Sequence, residues 1–424
     1  MKYKIHKSAI SGHIHVPSSK SHTMRALLFA LMAKGTSTLR NCLISPDTLA
    51  MIDAIKMFGA KVQCSNDVIE VQGIDRVLQR PYDVIQAGNS GLILRFIAAV
   101  GALCDCYVII TGDESIRKRR PIEPLLKALT SQNLFAKSAC HNGHAPIIIK
   151  GPLKPGVITI EGSDSQPVSA LLIATAFLKG ESEIYVDNPG EKPWIDVTLK
   201  WLENFGVKII NHDYRHYKIS GGAFYQGFDV TIPGDFSSAA YSIVAALIGK
   251  KNLSLSGLKM NDTQADKHFI SILKNMGADI QFCPQTKTLK IDGQSQIKGM
   301  EVEVNDCIDQ TPLLAVLGCF ASSPVTIKGA RIARFKESDR ISAIASELGK
   351  MGALIKEYED GMIIYPSNLK GANLYSHLDH RIALSLIVAG FAAQGETIID
   401  EVDCIAKTYP TFLSDFKNIG GKII

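Results

Sequence analysis

No apolar run in the 424-residue chain approaches the roughly 20 residues that a membrane-spanning helix needs. The longest, such as Leu313 to Phe320, are far shorter. The opening segment MKYKIHKSAISGHIHV alternates polar and apolar residues. It lacks the roughly 7–15-residue apolar stretch of a secretory signal and is predicted to be a strand. The nine cysteines form no C-x-x-C pair, and only Cys104 and Cys106 lie close together. Reduced thiols, a cytoplasmic protein and no structural zinc are therefore expected. Long runs of like charge are also missing, and 46 basic against 41 acidic residues leave a net charge of only +5. That balance argues against broad nucleic-acid or membrane partners, yet is compatible with a locally basic pocket.

Several catalytic signatures are absent as well. The chain has no G-x-S-x-G elbow, H-E-x-x-H, G-x-x-x-x-G-K-[ST] or G-x-G-x-x-G, which weakens hydrolase, zinc-protease, P-loop and dinucleotide readings. His141 and His144 in HNGH sit in a polar loop before Pro146 and are read as loop residues rather than a metal pair.

What remains is the composition of a well-cored globular protein, 46% hydrophobic and 21% charged, long enough for more than one domain. Its informative feature is self-similarity. A short strand, a turn of Pro, Gly, Asp or Ser, and an Ala/Leu-rich helix recur six times, with helix starts near Ser21, Gly91, Ser165, Ser237, Asp309 and His380. A second, amphipathic helix recurs in most units and closes on Gly59, Gly206, Gly277, Gly352 and Gly420. Glycine just past a helix end accepts the left-handed conformation that a side chain resists. The second unit departs, with Phe135 where the glycine would fall. The first helices are apolar on nearly every face and are expected to be buried all round, with the sheets outside them. Alternating strands and helices make this an α/β protein.

Every one of these turns leads into a helix N-terminus, where free N–H groups and partial positive charge favour anions. Lys20, Arg25, Arg95, Arg120, Arg334, Lys336, Arg340, Arg381 and Lys407 lie on or near those turns. Singly, each has an ordinary reading. A lone Lys or Arg is usually a solvated charge, Glu337 and Asp339 pair with Arg340 as helical neighbours, Asp379 and Asp309 are N-caps, and Gly91 serves a turn. Their recurrence at equivalent points of different repeats favours a shared anionic site. Asp309, Glu337 and Lys20 are its acid–base candidates, because burial and neighbouring charge can bring a carboxylate or an amine into working range.

The motifs PSSKSHTMRAL, GNSGLILR, KRRPI, DSQ, PGDFSSAA, the lone Asp309 before an apolar helix, RFKESDR, DHRIA and AKTYP occur in this order along the whole chain. On these residues the chain resembles the 5-enolpyruvylshikimate-3-phosphate synthase family. The resemblance implies an inside-out α/β barrel fold of two domains, each of three repeated β-α-β-α-β-β-type units. One domain would be discontinuous, residues 1–18 plus 233–424, the other would be 19–232, and the active site would lie in the hinge cleft between them. It implies a monomer that uses no cofactor and no metal and acts on phosphoenolpyruvate and shikimate 3-phosphate. Carried over by motif, Lys20, Asn89, Gly91, Arg120, Gln166, Arg340, Arg381 and Lys407 would hold phosphoenolpyruvate, with Asn89 shaping the glycine turn. Lys20, Ser21, Arg25, Asp164, Ser165, Gln166, Trp194, Asp309 and Lys336 would hold shikimate 3-phosphate. Asp309 would be the base on the 5-hydroxyl, and Glu337 and Lys20 the proton handlers for phosphoenolpyruvate.

The chain also departs from the pattern. Asp164 and Glu191 stand where the family usually has serines that touch the 3-phosphate, and Trp194 stands where tyrosine is common. Leu92, Phe96 and Ile332 replace the usual Thr, Pro and, in some members, Asn. A carboxylate at either serine position repels the phosphate dianion unless it turns aside or pairs with a cation. Rival acceptors follow from this. A UDP-N-acetylglucosamine enolpyruvyl transferase would carry Asn after its first lysine and a loop cysteine, whereas Ser21 follows Lys20 and ESIRKRRP has no cysteine. An RNA 3′-terminal phosphate cyclase would need a nucleotide-accepting histidine and a broader basic surface. A transferase for unphosphorylated shikimate would tolerate the two carboxylates, and so would a non-catalytic paralogue that binds anionic metabolites. Lys20, Asp309 and Glu337 speak against the paralogue, since a pure binder needs no acid–base groups.

Overall fold

Each of the six apolar segments forms a helix: Lys20–Met32, Gly91–Gly101, Ser165–Ala176, Phe236–Gly249, Thr311–Cys319 and His380–Ala392. Apart from Lys20, Gln166, Gly249 and Ala392 at or near the ends, every residue of these helices is buried. A helix with no polar face has no solvent side. The computed structural model describes all 424 residues and divides into two units, one of Met1–Ser18 with Pro233–Ile424, the other of Ser19–Ile232. Each unit has a single continuous hydrophobic core. No helix is long and apolar enough to cross a membrane.

The strands form six sheets of four, three in each unit. Where the chain runs straight through a repeat, the strands on either side of the buried helix pair in parallel. Val157–Glu161 beside Ser182–Asp187 is one example, and Glu301–Glu303 beside Val325–Lys328 is another. Two further antiparallel strands complete each of these sheets. Two strands are exchanged. Gly12–His15, which precedes the first buried helix, pairs with Leu253–Ser256 after the fourth. Asp229–Thr231, which precedes the fourth, pairs with Thr36–Arg40 after the first. The N-terminal strand Lys2–His6 completes the last sheet, between Glu396–Asp400 and Lys422–Ile423.

The terminal glycines of the second helices all take positive φ, from +75° at Gly206 to +105° at Gly59. The second repeat corrects the expected position of the stop, which was Phe135. The helix Glu123–Ser131 is followed by Gln132 and then Asn133 at φ +61°, whose N–H bonds the carbonyl of Thr130. Gly59 bonds the carbonyl of Lys56 in the same way. Asn133, two residues before Phe135, is the counterpart of the glycine, and Asn is the side chain that best tolerates this conformation. The fifth helix is a second correction. Asp309 does not cap it but lies in a 3₁₀ turn, Asn305–Gln310, and the α-helix begins at Thr311.

If Asn133 serves as the left-handed helix stop, Asn133→Gly changes stability by no more than about 0.5 kcal/mol, whereas Asn133→Val lowers it by about 1–2 kcal/mol. Urea midpoints of the three proteins check this.

Candidate active site

Two clusters of charged side chains, one in each unit, gather at the N-terminal ends of the buried helices. In the unit Met1–Ser18 with Pro233–Ile424, Arg340 is the centre. It is 2% exposed and reaches three carboxylates: Asp309 at 2.6 Å, Glu337 at 2.8 Å and Asp379 at 2.8 Å. Arg381 Nη2 donates to the other oxygen of Asp309 at 3.1 Å, and Lys407 Nζ donates to Glu337 at 2.6 Å. Three of the sequence-predicted phosphoenolpyruvate residues and two of the predicted acid–base residues thus form one network. Pairing of this kind offsets the cost of taking these charges out of water.

Local structure explains the placement. Asp379 caps the His380 helix by accepting from the Arg381 N–H, and its other oxygen accepts from Arg340 Nε and Ser338 Oγ. The expected N-cap therefore does double duty. Arg334 donates to Asp339, the cap of the helix Arg340–Lys350, and to Glu357 and the carbonyl of Tyr358. That ties the RFKESDR turn to the neighbouring sheet, and with it Lys336 and Glu337.

Asp309 keeps 24% of its side chain exposed. Burial alone would raise its pKa, but the charges of Arg381, Arg340 and Lys336 outweigh this and hold it well below the usual carboxylate range. Two donors of Arg381, Nε and Nη1, are buried without an acceptor in hydrogen-bonding geometry. Such a guanidinium is well suited to an anion.

One member of this cluster escaped the sequence reading. Asp266 is 1% exposed and accepts from Ser237 Oγ and, at 2.8 Å, from Gln310 Nε2, which anchors the residue next to Asp309. Burial first, and then the charge of Asp309, push its carboxyl up to about 7. Nothing in its sequence context, TQADKHF, marks it.

In the unit Ser19–Ile232, Lys20 opens the first buried helix and lies 3.5 Å from the buried Asp47. Arg25 is held by neutral acceptors: Ser21 Oγ at 2.6 Å, Thr198 Oγ1 at 2.9 Å and the backbone carbonyl of Trp194 at 3.3 Å. It also lies 5.2 Å from the Phe96 ring. Burial pushes its guanidinium down to about 9, so it stays protonated at neutral pH. Trp194 thus contributes backbone to this cluster. Asn89 donates to Asp113 and Ser115, which ties the glycine turn down, and Arg120 Nη1 approaches the Asn89 carbonyl at 3.4 Å. A Cβ at Gly91 would stand 2.5 Å from Arg95 Nη1 and 2.6 Å from Arg120 Nη1. A side chain at this position would push both guanidinium ends away from the helix start.

The two carboxylates that depart from the family pattern are both accommodated. Asp164 caps the Ser165–Ala176 helix through the Gln166 N–H at 3.0 Å and pairs with Arg95 Nη2 at 2.9 Å. Arg95 Nη1 also donates to Gln166 Oε1 at 3.0 Å. Glu191 accepts from both the N–H and the hydroxyl of Ser165, each at 3.0 Å. Asp47 and Thr198 are absent from the sequence-based site, whereas Arg95 stands among its cations near the turns but with no ligand assigned to it.

The Asp266 carboxyl binds its proton more tightly in the folded state, so its contribution to stability declines as pH rises from about 4 to about 7. Replacing it by Asn removes this decline. Urea unfolding should show Asp266→Asn gaining stability on the parent protein as the pH rises from 4.5 to 7.5.

The family model described as EPSP synthase (3-phosphoshikimate 1-carboxyvinyltransferase) matches residues 5–416. A 3-phosphoshikimate 1-carboxyvinyltransferase of Acetivibrio thermocellus is 41% identical over 423 residues, covering 100% of this chain and 99% of that protein. One from Chlamydia caviae is 40% identical over 426 residues, covering 100% and 94%. The solved structure of an EPSP synthase from Acinetobacter baumannii superposes with a TM-score of 0.83 at 27% identity, covering 100% of this chain and 99% of that one. With its charged clusters at buried helix ends and full-length similarity of this degree, the chain belongs to the EPSP synthase family of 3-phosphoshikimate 1-carboxyvinyltransferases.

Proposed function

We propose that the chain transfers the enolpyruvyl group of phosphoenolpyruvate to the 5-hydroxyl of shikimate 3-phosphate. The reaction releases phosphate and gives 5-enolpyruvylshikimate 3-phosphate on the way to chorismate and the aromatic amino acids. The observation that carries this reading is the network of Arg340, Arg381 and Lys407 around Asp309 and Glu337 in a chain of this family. The finer architecture is proposed to be the inside-out α/β barrel, with residues 1–18 plus 233–424 as one domain and 19–232 as the other. Each cluster would then supply cations to the two substrates. Two phosphates and two carboxylates need neutralising there, and cations at helix ends do so with little reorganisation.

In this reading the 5-hydroxyl attacks C2 of phosphoenolpyruvate as C3 gains a proton. The tetrahedral adduct then loses that proton and expels phosphate. Lys20, Asn89, Gly91, Arg120, Gln166, Arg340, Arg381 and Lys407 hold phosphoenolpyruvate. Lys20, Ser21, Arg25, Asp164, Ser165, Gln166, Trp194, Asp309 and Lys336 serve the shikimate phosphate side.

The pairing of Asp309 suggests how it becomes a base. While Arg340 and Arg381 lie against it, its carboxylate is too weakly basic to take a hydroxyl proton well. An anionic substrate that engages the same guanidinium groups draws their charge away and raises the basicity of Asp309 where the hydroxyl arrives. Glu337, bridged by Lys407 and Arg340, and Lys20 are the groups proposed to exchange the proton at C3. The rival acceptors are not favoured, because the full-length relatives carry the 3-phosphoshikimate name.

Phosphate release from phosphoenolpyruvate is expected with shikimate 3-phosphate and not with UDP-N-acetylglucosamine or unphosphorylated shikimate. Asp309→Ala and Lys20→Met should each lower kcat by roughly 10²–10⁴. Turnover with another acceptor, or full activity in both variants, would overturn the reading. Separately, Gly91→Ala pushes against Arg95 and Arg120 and should raise KM for phosphoenolpyruvate about tenfold with the fold retained. Steady-state kinetics at fixed shikimate 3-phosphate measures this.

A further inference from the structure

Asp266 is a buried carboxyl to which the proposed chemistry gives no part. It lies in a 3₁₀ turn, Ala265–Lys267, packed against the turn Asn305–Gln310 that carries Asp309. Its hydrogen-bond partners are neutral. One oxygen accepts from the Ser237 hydroxyl and, at 2.8 Å, from the Gln310 amide, while Oδ1 is buried with no hydrogen-bond partner. A carboxyl so placed is costly to bury. Gln310 is itself fully buried and its side-chain oxygen meets no donor, so the bond to Asp266 is the anchor of that amide. An apolar pair of similar size would fill the same space at little cost. What the polar pair adds is direction.

The turn that carries Asp309 needs such an anchor. It is not one continuous helix, because Cys307 interrupts it at φ −141°, ψ +45°. The carboxylate of Asp309 is held by Arg340 and Arg381, the same guanidinium groups for which a substrate anion competes in the proposed reaction. Once those partners are drawn off, the position of Asp309 depends on its backbone. The adjoining residue, Gln310, ties that backbone to Asp266. We propose that Asp266 is a positioning residue for Asp309, which holds the Asn305–Gln310 turn through Gln310 while the arginine partners of Asp309 change. The proposal rests on the reading of Asp309 as the base on the acceptor hydroxyl.

Four variants decide the matter: Asp266→Ala, Gln310→Met, the two combined, and Asp266→Asn, which keeps an oxygen to accept from Ser237 and Gln310. A thermal melt of each verifies folding. Asp266→Ala and Gln310→Met are each expected to lower kcat by about 10–100-fold, with KM for both substrates within about threefold of the parent protein. The combined variant should lose no more than the worse single one, since both cut the same link. Asp266→Asn should restore kcat to within about threefold. Hydrogen exchange of the backbone over Asn305–Gln310 should quicken in Asp266→Ala and Gln310→Met and stay slow in Asp266→Asn. Parental kcat in folded Asp266→Ala overturns the proposal. So do losses that multiply in the combined variant, an Asn variant no better than Ala, or exchange that none of the variants alters. Lack of turnover by the parent protein would sink the enzymatic reading on its own, while the exchange of the turn still judges Asp266.

Discussion

A helix buried on every side can meet polar groups only at its ends. Six such helices lie in the cores of the two units, and the charged chemistry of the chain is accordingly found where they begin. Lys20 opens the first, Gly91 the second, Ser165 the third and His380 the last, while Asp309 sits on the turn just ahead of the fifth. The donors at these ends need acceptors once water is excluded. Ser19, Ser90, Asp164, Asp235 and Asp379 each supply one from the preceding residue. The arrangement follows from apolar burial, and function is built on what burial leaves polar.

The charges at those ends are balanced unequally. Arg340 is wrapped by three carboxylates and Lys407 faces Glu337, so the cluster in the unit carrying the C-terminus is nearly neutral as a group. In the other unit Arg25 has only hydroxyl and carbonyl acceptors, whereas Ser165 is claimed by Glu191. An anion entering the first cluster would compete with Asp309 for Arg340 and Arg381. In the second it finds one cation available and one donor pair contested. Exchange of partners changes the basicity of a base, and competition for donors changes affinity, so the two clusters differ in how each would respond to an anion.

Much of this was legible in the sequence. The spacing of the apolar segments placed five of six helix starts to within one residue, and the terminal glycines marked the ends of the second helices. The fifth start, expected at Asp309, lies two residues later because a 3₁₀ turn inserts before Thr311 and carries no spacing signature. Asn133 was overlooked because the helix stop there is asparagine, which signals the same backbone less strongly than glycine. The motif residues Arg340, Arg381, Lys407, Asp309 and Glu337 were identified as a group, and the structure brings them into hydrogen-bonding distance of one another.

By itself the sequence determined the α/β class, the six-fold recurrence and the family, because periodic apolar burial and motif order are properties of a string. Only the tertiary structure decided where the carboxylates point. Asp164 turns to Arg95, Glu191 turns to Ser165, and Asp266 lies buried near Asp309 although nothing local marks it. It also decided the exchange of Gly12–His15 and Asp229–Thr231 between sheets, which closes each unit around its own core. The reason is physical: a side chain's direction and charge balance depend on neighbours far away in the chain, such as Glu191 against Ser165, and no local pattern encodes them.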